Sequence, residues 1–298
     1  MIELINLQQQ CLSLIESHSG CSQSCALNHY CTKSGCTTGD CSRCLNQIQY
    51  GSPNFTYSCT KITYQYVLRF FNRFASEICY AMCRYKYNNL DRINVVSLGC
   101  GPGSEVFGII KAFRVLGVDA KLCYAVYDML NVWEPIQTYC KESFMNTQHV
   151  VEYYTTNLFT DFRDFDNGVV NLLLLNYLLS HAAKFYKDQG KNKFIDDIVD
   201  FILTNNVRNI LFNDINYYGY FNKLDSGVQL VKLMISKLKS KGVKFSVIYV
   251  CFPNDPRRGN EDWKFYPQNK LLLQKHPNNP YMKNVGYCKS KQIFIHIK

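Results

Sequence analysis

The sequence lacks any hydrophobic run long enough to cross a membrane. Its longest apolar stretch, from Val169 to Leu179, is interrupted by Asn171 and Asn176 and is too short for a bilayer span. The first residues also lack a basic segment followed by an apolar run, which excludes a recognisable secretory signal. We therefore expect a soluble, intracellular protein, located in the cytoplasm or the nucleus.

Acidic residues are scarce near the C-terminus. Residues 237–298 contain 13 Lys and Arg but only three acids, which accounts for the whole net charge of +10. Such a cationic segment favours a polyanionic partner, most often nucleic acid, and a solvated lysine-rich surface is the alternative. With 298 residues, 47% of them hydrophobic, the chain is large enough for one large domain or for one domain with a small appendage.

Three closely spaced glycines follow a β-branched run at residues 93–103, INVVSLGCGPG. Gly99, Gly101 and Gly103 lack the later glycine that a dinucleotide-binding fingerprint requires. A helical pattern begins directly afterwards at Ser104, a residue that can cap it. The sequence thus predicts a buried strand, then a tight turn, then a helix N-terminus. This succession predicts a binding site for a small polar ligand at the carboxyl end of a central strand.

Strands and helices alternate from residue 93 onward, which predicts an α/β fold with a mostly parallel, doubly wound sheet. A helix is predicted at 1–16 and a long one at 60–87, ahead of the sheet. The seven predicted strands are 93–98, 120–127, 149–155, 169–175, 207–212, 244–251 and 292–297. The later predicted helices are 104–116, 132–144, 194–204 and 228–240.

The glycine loop resembles motif I of the class I S-adenosylmethionine (SAM)-dependent methyltransferases. In that family an acid precedes Gly-x-Gly-x-Gly, and here Ser97 stands in its place. The strand count over residues 60–298 is also similar, and the resemblance implies a Rossmann-like sheet whose seventh strand lies antiparallel between the fifth and the sixth. It implies SAM as the cofactor and methyl transfer as the activity.

The resemblance also implies where the cofactor binds. Asp128, at the end of the second strand, would accept hydrogen bonds from both ribose hydroxyls, although an acid there also serves the ribose of NAD. Met129 would pack on the adenine, and Asn157 would bond its edge. The cofactor-binding residues predicted in this way are Gly99, Cys100, Gly101, Gly103, Asp128, Met129, Asn157, Leu158 and Asn176.

The end of the fourth strand is predicted to face the methyl acceptor. Asn176, Tyr177 and His181 are the catalytic candidates, with His181 as a base or as an orienting group. Asn213 and Asp214, at the end of the fifth strand, form a second candidate pair. The Asp/Asn-Pro-Pro-aromatic motif of adenine-N6 and cytosine-N4 methyltransferases is missing, and methyl transfer from a sulfonium needs mainly in-line alignment of acceptor and sulfur.

A basic and aromatic insertion, residues 252–291, precedes the last strand. Arg257 and Arg258 could contact phosphates, and aromatic residues could stack on bases. The aromatic candidates are Trp263, Phe265, Tyr266 and Tyr281. These features favour RNA as the acceptor, against a hairpin that simply covers the sheet edge. A protein or small-molecule methyltransferase is an alternative, and so is a catalytically weak SAM-binding assembly factor, since Ser97 and the fourth strand depart from the family pattern.

The first 59 residues are rich in cysteine and poor in aliphatic residues, so they need a covalent or metal staple. We predict a separate Cys-rich module at 1–59 with a structural zinc site, because Cys41-Ser-Arg-Cys44 has the spacing of a zinc knuckle. Disulfides, an iron–sulfur cluster and unbound thiols are the alternatives. The predicted ligands are Cys21, Cys25, Cys31, Cys36, Cys41 and Cys44.

Overall fold

The structure is a computed structural model of the chain. It describes residues 2–16, 41–49, 57, 60–85, 90–99, 101–165, 168–215, 226–253, 263–282 and 286–298. Several predicted site residues lie outside these ranges: Cys21, Cys25, Cys31, Cys36, Cys100, Arg257 and Arg258.

Eight strands form one mixed sheet within the described ranges, in the order β3-β2-β1-β4-β5-β8-β6-β7. The strands are β1 Arg92–Leu98, β2 Lys121–Tyr127, β3 Val150–Tyr154, β4 Leu172–Asn176, β5 Asn209–Ile215, β6 Phe245–Cys251, β7 Lys264–Phe265 and β8 Ser290–Ile297. Only β8 runs antiparallel to its neighbours, β5 and β6. The predicted α/β class and the antiparallel last strand are confirmed.

The predicted count of seven strands is wrong. The additional strand, β7, has two residues and pairs with Val250 and Cys251 of β6 at the sheet edge. A two-residue strand is too short to show the alternation of apolar and polar residues that predicts a strand, so β7 was not predicted.

Helices cover both faces of this sheet. They are α1 Ile2–Glu16, α2 Ser42–Gln49, α3 Thr60–Tyr66, α4 Asn72–Met82, α5 Ser104–Leu116, α6 Glu134–Glu142, α7 Leu158–Asp161, α8 Leu179–Phe185, α9 Asp188–Thr204 and α10 Gly227–Ser240. The helix α5 has the predicted bounds and ends at Gly117, whose φ of 65° is the left-handed conformation that stops a helix. One face of the sheet is covered mainly by α4 and α5, and the other by α8, α9 and α10.

The helix predicted at 60–87 is continuous from Thr60 to Met82 but changes geometry in the middle. A π-helical segment, Val67–Phe71, joins α3 to α4. Such a bulge shifts the side chains that follow it around the helix axis, and π-bulges are frequent at functional sites. Beyond the bulge every residue of α4 is buried, including the charged Arg73 and Glu77.

Two aromatic rings in the described part of the insertion before β8 pack into the protein, which corrects the prediction that they serve as stacking faces. Trp263 and Tyr266 are buried, at 7% and 3% exposure. Tyr266 stacks on Phe252 with 4.6 Å between ring centroids and hydrogen-bonds through its hydroxyl to Gln292. These two rings therefore belong to the core, while Phe265 is 41% exposed.

The N-terminal helices α1 and α2 pack against the rest of the described chain. Cys41, Cys44, Leu45 and Ile48 form an apolar cluster with α3, Phe70 and Phe74. Cys41 and Cys44 form no disulfide.

Within the described ranges no helix is long and apolar enough to cross a membrane. In the same ranges, no group of three or more His, Cys, Asp or Glu could hold a metal ion. Because four of the six predicted ligands lie elsewhere, the zinc site stays a prediction.

Candidate functional site

A cavity of about 290 Å³ opens at the carboxyl ends of β1, β2 and β4. It brings together nine of the predicted site residues, which come from five separate segments: Gly99, Gly101, Asp128, Met129, Asn157, Leu158, Asn176, Tyr177 and His181. Gly103 lies beside the cavity without lining it. The predicted convergence of the strand ends on one site is therefore what the fold produces.

The glycine loop turns in a conformation that L side chains rarely adopt. Gly99 and Gly101 have φ angles of 64° and 55°. A Cβ at Gly99 would lie 2.5 Å from the side chain of Leu178, and one at Gly101 would lie 3.3 Å from the indole of Trp133. The loop is thus bare backbone pressed between two side chains. Its Gly99 N–H donates to the Tyr127 carbonyl at 2.8 Å, which ties the start of the loop to β2.

Asp128 fixes this loop to the end of β2. Its Oδ2 accepts a hydrogen bond from the Gly101 N–H at 2.8 Å, and its Oδ1 accepts one from the Leu130 N–H at 2.9 Å. Burial raises the pKa of the Asp128 carboxyl, and the two N–H donors oppose that rise. The carboxylate therefore already stands at the cavity wall with both oxygens oriented.

Asn157 closes the opposite side of the cavity, at the end of β3. It is the N-cap of the short helix α7, and its Oδ1 accepts from the Phe159 N–H at 3.0 Å. The side-chain carbonyl is therefore used in the turn. Leu158 beside it is buried at 1% exposure, whereas Met129, which also lines the cavity, is 72% exposed and offers an apolar surface.

The side chain of Asn176 is held on both sides inside the protein. Its Nδ2 donates to Glu105 Oε1 at 2.9 Å, and its Oδ1 accepts from Asn213 Nδ2 at 2.7 Å. The Ser97 hydroxyl donates to the same Glu105 oxygen at 3.4 Å. The Asn176 amide, a predicted catalytic group, is thus engaged with structural partners. Glu105 lies behind the cavity wall, and no sequence pattern indicated its role.

Tyr177 follows Asn176 with a φ of 55°, which is uncommon for a bulky residue. Its hydroxyl donates to Glu77 Oε2 at 2.9 Å, and its ring lies 3.8 Å from that of Phe74, centroid to centroid. Burial raises the pKa of Tyr177 well above its ordinary value, so the hydroxyl stays protonated. The ring therefore forms a rigid wall at the end of β4.

Glu77, from α4, is the acceptor behind this wall. It is fully buried, and besides Tyr177 it accepts from the Lys289 N–H at 3.0 Å and from Asn213 Nδ2 at 3.3 Å. Arg73 lies one helical turn away, with its Nε 3.8 Å from Glu77 Oε1. The carboxylate joins α4, β4 and β5 to the segment that enters β8.

His181 lies on α8 at the cavity mouth. Its ring packs on Phe185, with centroids 4.3 Å apart. Burial lowers the pKa of His181 to about 4, and the nearby Lys184 charge makes a smaller contribution in the same direction. The ring is partly exposed to solvent, which lessens this lowering of the pKa. The imidazole is therefore neutral at pH 7 and can accept a proton.

Asp214 belongs to the second candidate pair, at the end of β5, and it does not line the cavity. Its Oδ2 accepts from the Ser180 N–H at 2.8 Å, and its Oδ1 accepts from the Ile215 N–H at 2.7 Å. Burial raises the pKa of this carboxyl to about 6. The acid holds the start of α8 against β5, and Asn213 likewise points into the buried network around Glu77.

Aromatic side chains that no sequence pattern indicated form much of the cavity wall. On one side Trp133 lies 5.2 Å from both Tyr57 and Tyr66, between ring centroids. On the other side Phe194 lies within 6 Å of Phe159 and Tyr186. The described wall contains no Lys or Arg.

No protein-family model matches the chain, and neither does any curated protein sequence. Solved structures that resemble it include the mitomycin 7-O-methyltransferase MmcR, with 10% identity and a TM-score of 0.41 over 75% of this chain and 54% of that one. Magnesium protoporphyrin IX methyltransferase from Synechocystis PCC 6803 has 12% identity and a TM-score of 0.41, covering 76% of this chain and 79% of that one. The plantazolicin methyltransferase BpumL has 10% identity and a TM-score of 0.40, covering 76% and 85%. The chain thus spans about half the length of MmcR, and likenesses this weak identify neither substrate nor activity.

Proposed function

We propose that this protein is a SAM-dependent methyltransferase that binds its cofactor in the cavity at the ends of β1, β2 and β4. The observation that carries this proposal is the charge of the site. The described wall holds the carboxylate of Asp128 and no Lys or Arg. Glu105 and Asp214 lie buried behind it, whereas the charge of Glu77 is balanced by Arg73 at 3.8 Å. A dinucleotide brings phosphates that need positive partners, whereas SAM brings a sulfonium and an ammonium group.

The residues of the cavity fit the parts of SAM. Asp128 offers two acceptor oxygens for the ribose hydroxyls, and Met129 offers an exposed apolar surface for an adenine. The bare backbone of Gly99 and Gly101 admits the methionine end. When bound, the cofactor supplies an electrophilic methyl group, and the protein then has to hold an acceptor in line with it.

We assign different roles to the three predicted catalytic residues. Asn176 is engaged with Glu105 and Asn213, so it orients the end of β4. Tyr177 forms a wall against which an acceptor can lie. His181 is the candidate base, because its neutral imidazole at the mouth can take a proton from an acceptor oxygen or nitrogen.

We propose RNA as the acceptor. The support is the positive charge of residues 237–298 and the aromatic cavity wall, which suits a base turned out of a strand. Trp263 and Tyr266 no longer contribute to this proposal because both rings are buried. RNA affinity should fall with rising salt, and an affinity that does not fall would contradict phosphate contacts.

A small planar molecule is the second candidate acceptor. The rings of Phe159, Phe194 and Tyr186 enclose one side of the cavity, and such walls bind flat apolar compounds as well as they bind a base. Transfer of label from tritiated SAM to separated RNA, protein and small-molecule fractions would distinguish the two. A protein that binds SAM and labels no fraction would fit the assembly-factor alternative.

We also propose a structural zinc ion bound by cysteines of the N-terminal segment. The support is the ligand spacing in the sequence, in which Cys41 and Cys44 form the knuckle pair. Metal analysis of protein purified under reducing conditions should find at least one equivalent of zinc. A smaller amount of zinc would remove this part of the proposal.

Calorimetry with SAM tests the cofactor assignment directly. We expect the wild type to bind SAM and the Asp128→Ala variant to bind it at least about tenfold more weakly, since two hydrogen bonds to a charged acceptor are lost. Asp119→Ala, an exposed acid in the turn before β2, is the matched control and should bind like the wild type. Absent binding in the wild type, or equal binding in Asp128→Ala, would refute the assignment.

A further inference from the structure

The strand that enters the glycine loop has no acid at its end, but a carboxylate is nevertheless present at that place. Position 97 is a fully buried serine. Glu105 enters the same space from the first turn of α5, on the other side of the loop, and is also fully buried. The Ser97 hydroxyl donates to its Oε1 at 3.4 Å. The acid and the serine thus lie side by side although eight positions separate them in sequence.

We propose that Glu105 replaces the missing acid of β1 and holds the ends of β1 and β4 in the geometry that binds the methionine end of the cofactor. This inference rests on the proposed function. Because Glu105 does not line the cavity, it is a positioning residue that acts through its neighbours.

Glu105 acts on the end of β4 through the amide of Asn176. The carboxylate can only accept a hydrogen bond, so it draws the NH₂ end of the amide toward itself at 2.9 Å. The carbonyl end then faces Asn213, whose Nδ2 donates to it at 2.7 Å. With both ends fixed, the backbone that leads into Tyr177 is held where it borders the cavity.

The charge of Glu105 lies directly behind the cavity wall, 2.9 Å from the Asn176 amide, which lines the cavity. Burial raises the pKa of this carboxyl to about 7, and hydrogen bonds from Asn176, Ser97 and Tyr124 oppose the rise. The titratable groups that face it are Tyr124 of β2 and Cys140 of α6, and burial raises the pKa of Cys140 so that it stays a neutral thiol. A bound cation favours the ionised carboxylate, so Glu105 should strengthen cofactor binding more at pH 8 than at pH 6.

Glu105→Gln keeps the shape of the side chain and removes its charge. We expect it to bind SAM about tenfold more weakly than the wild type at pH 8, and the two to differ less at pH 6, where much of Glu105 is protonated. Comparing the two proteins at each pH cancels the titration of SAM itself and of Asp128. Glu134→Gln, which removes an exposed acid from the first turn of α6, is the matched control and should bind like the wild type at both values.

Moving the carboxylate back to the strand is the sharper test. The double variant Ser97→Asp with Glu105→Gln should recover most of the lost affinity for SAM. Glu105→Asp keeps the charge, so its affinity for SAM should retain the pH dependence, and this variant serves as the test if Glu105→Gln does not fold. Calorimetry measures the affinity, and melting temperatures show that each variant is folded. If the wild type binds SAM and Glu105→Gln binds it equally well, or loses the same factor at both pH values, the inference is overturned. If the wild type does not bind SAM, the proposed function itself has failed.

Discussion

The crossing of α4 and α5 depends on the missing side chain of Gly108. A Cβ at this position would lie 3.0 Å from Ile78 Cβ and 3.1 Å from the Cys79 nitrogen, and closer still to the Ala75 carbonyl oxygen. Two of these three neighbours are backbone atoms of α4 and cannot rotate away. Gly108→Ala therefore has to push the helices apart.

The expected cost follows from two opposing effects. Replacing a glycine within a helix by alanine gains about 0.5–1 kcal/mol of helix propensity. Overpacking a tight contact typically costs about 1–3 kcal/mol. Because the contact is with backbone, we expect the cost to win and Gly108→Ala to lower the free energy of unfolding by about 1–2 kcal/mol.

Gly190 provides the matched control. It lies exposed in the first turn of α9, and the nearest side-chain atom to an added Cβ, Tyr186 Cβ, is 3.5 Å away, an ordinary contact. Gly190→Ala should therefore raise the free energy of unfolding by about 0.5 kcal/mol.

Urea unfolding of both variants beside the wild type measures the two free energies. The same substitution in two helices is expected to change stability in opposite directions. If Gly108→Ala were as stable as the wild type, or the two variants shifted in the same direction, the close approach of α4 and α5 would not be a constraint on the fold.

Three further predictions concern side chains in and around the cavity. Tyr177→Phe removes a donor from the buried Glu77 carboxylate and should cost about 2 kcal/mol in urea unfolding, while Tyr287→Phe at a half-exposed position should cost nothing measurable; equal effects would contradict the hydrogen bond. Because the folded pKa of Asp214, about 6, lies above its ordinary value of 3.8, its contribution to stability is greatest at low pH and is lost as pH rises from about 4 through 6. The stability of the wild type relative to Asp214→Asn should therefore fall by roughly 1–3 kcal/mol over that window, and a constant difference would refute the shift. The His181 ring should titrate below pH 6 in a proton NMR experiment, and a midpoint at or above 6.5 would show that burial does not act on it.

The sequence predicted those parts of the site that a single short segment defines. The glycine turn, the bounds of α5 and the position of Asp128 at the end of β2 all follow from local periodicity and from the way parallel strands end at one edge. The antiparallel last strand came from the resemblance and not from its residues. Local pattern was sufficient wherever the residues that make a feature are neighbours in the chain.

The features that the sequence did not predict depend on residues far apart in the chain. Tyr266 reads as an exposed ring in a polar insertion, but Tyr80 of α4 and Phe252 at the start of the insertion bury it. Glu77 and Glu105 each read as an ordinary acid in a helix pattern, and only the packing of α4 and α5 brings them beneath the site. A change of helix geometry at the Val67–Phe71 bulge likewise has no periodic signal.

The position of β8 has a consequence for the order in which the fold can form. β5 and β6 are not paired with each other, and in the described sheet they are joined only through β8. Gln292 of that strand also donates to the Glu77 carbonyl, 215 residues earlier in the chain. During synthesis β6 and the network around Glu77 must therefore wait until residues 290–297 have left the ribosome. Contacts this distant in sequence slow folding, so we expect the edges of β5 and β6 to stay exposed, and open to aggregation, until β8 has emerged and paired with them.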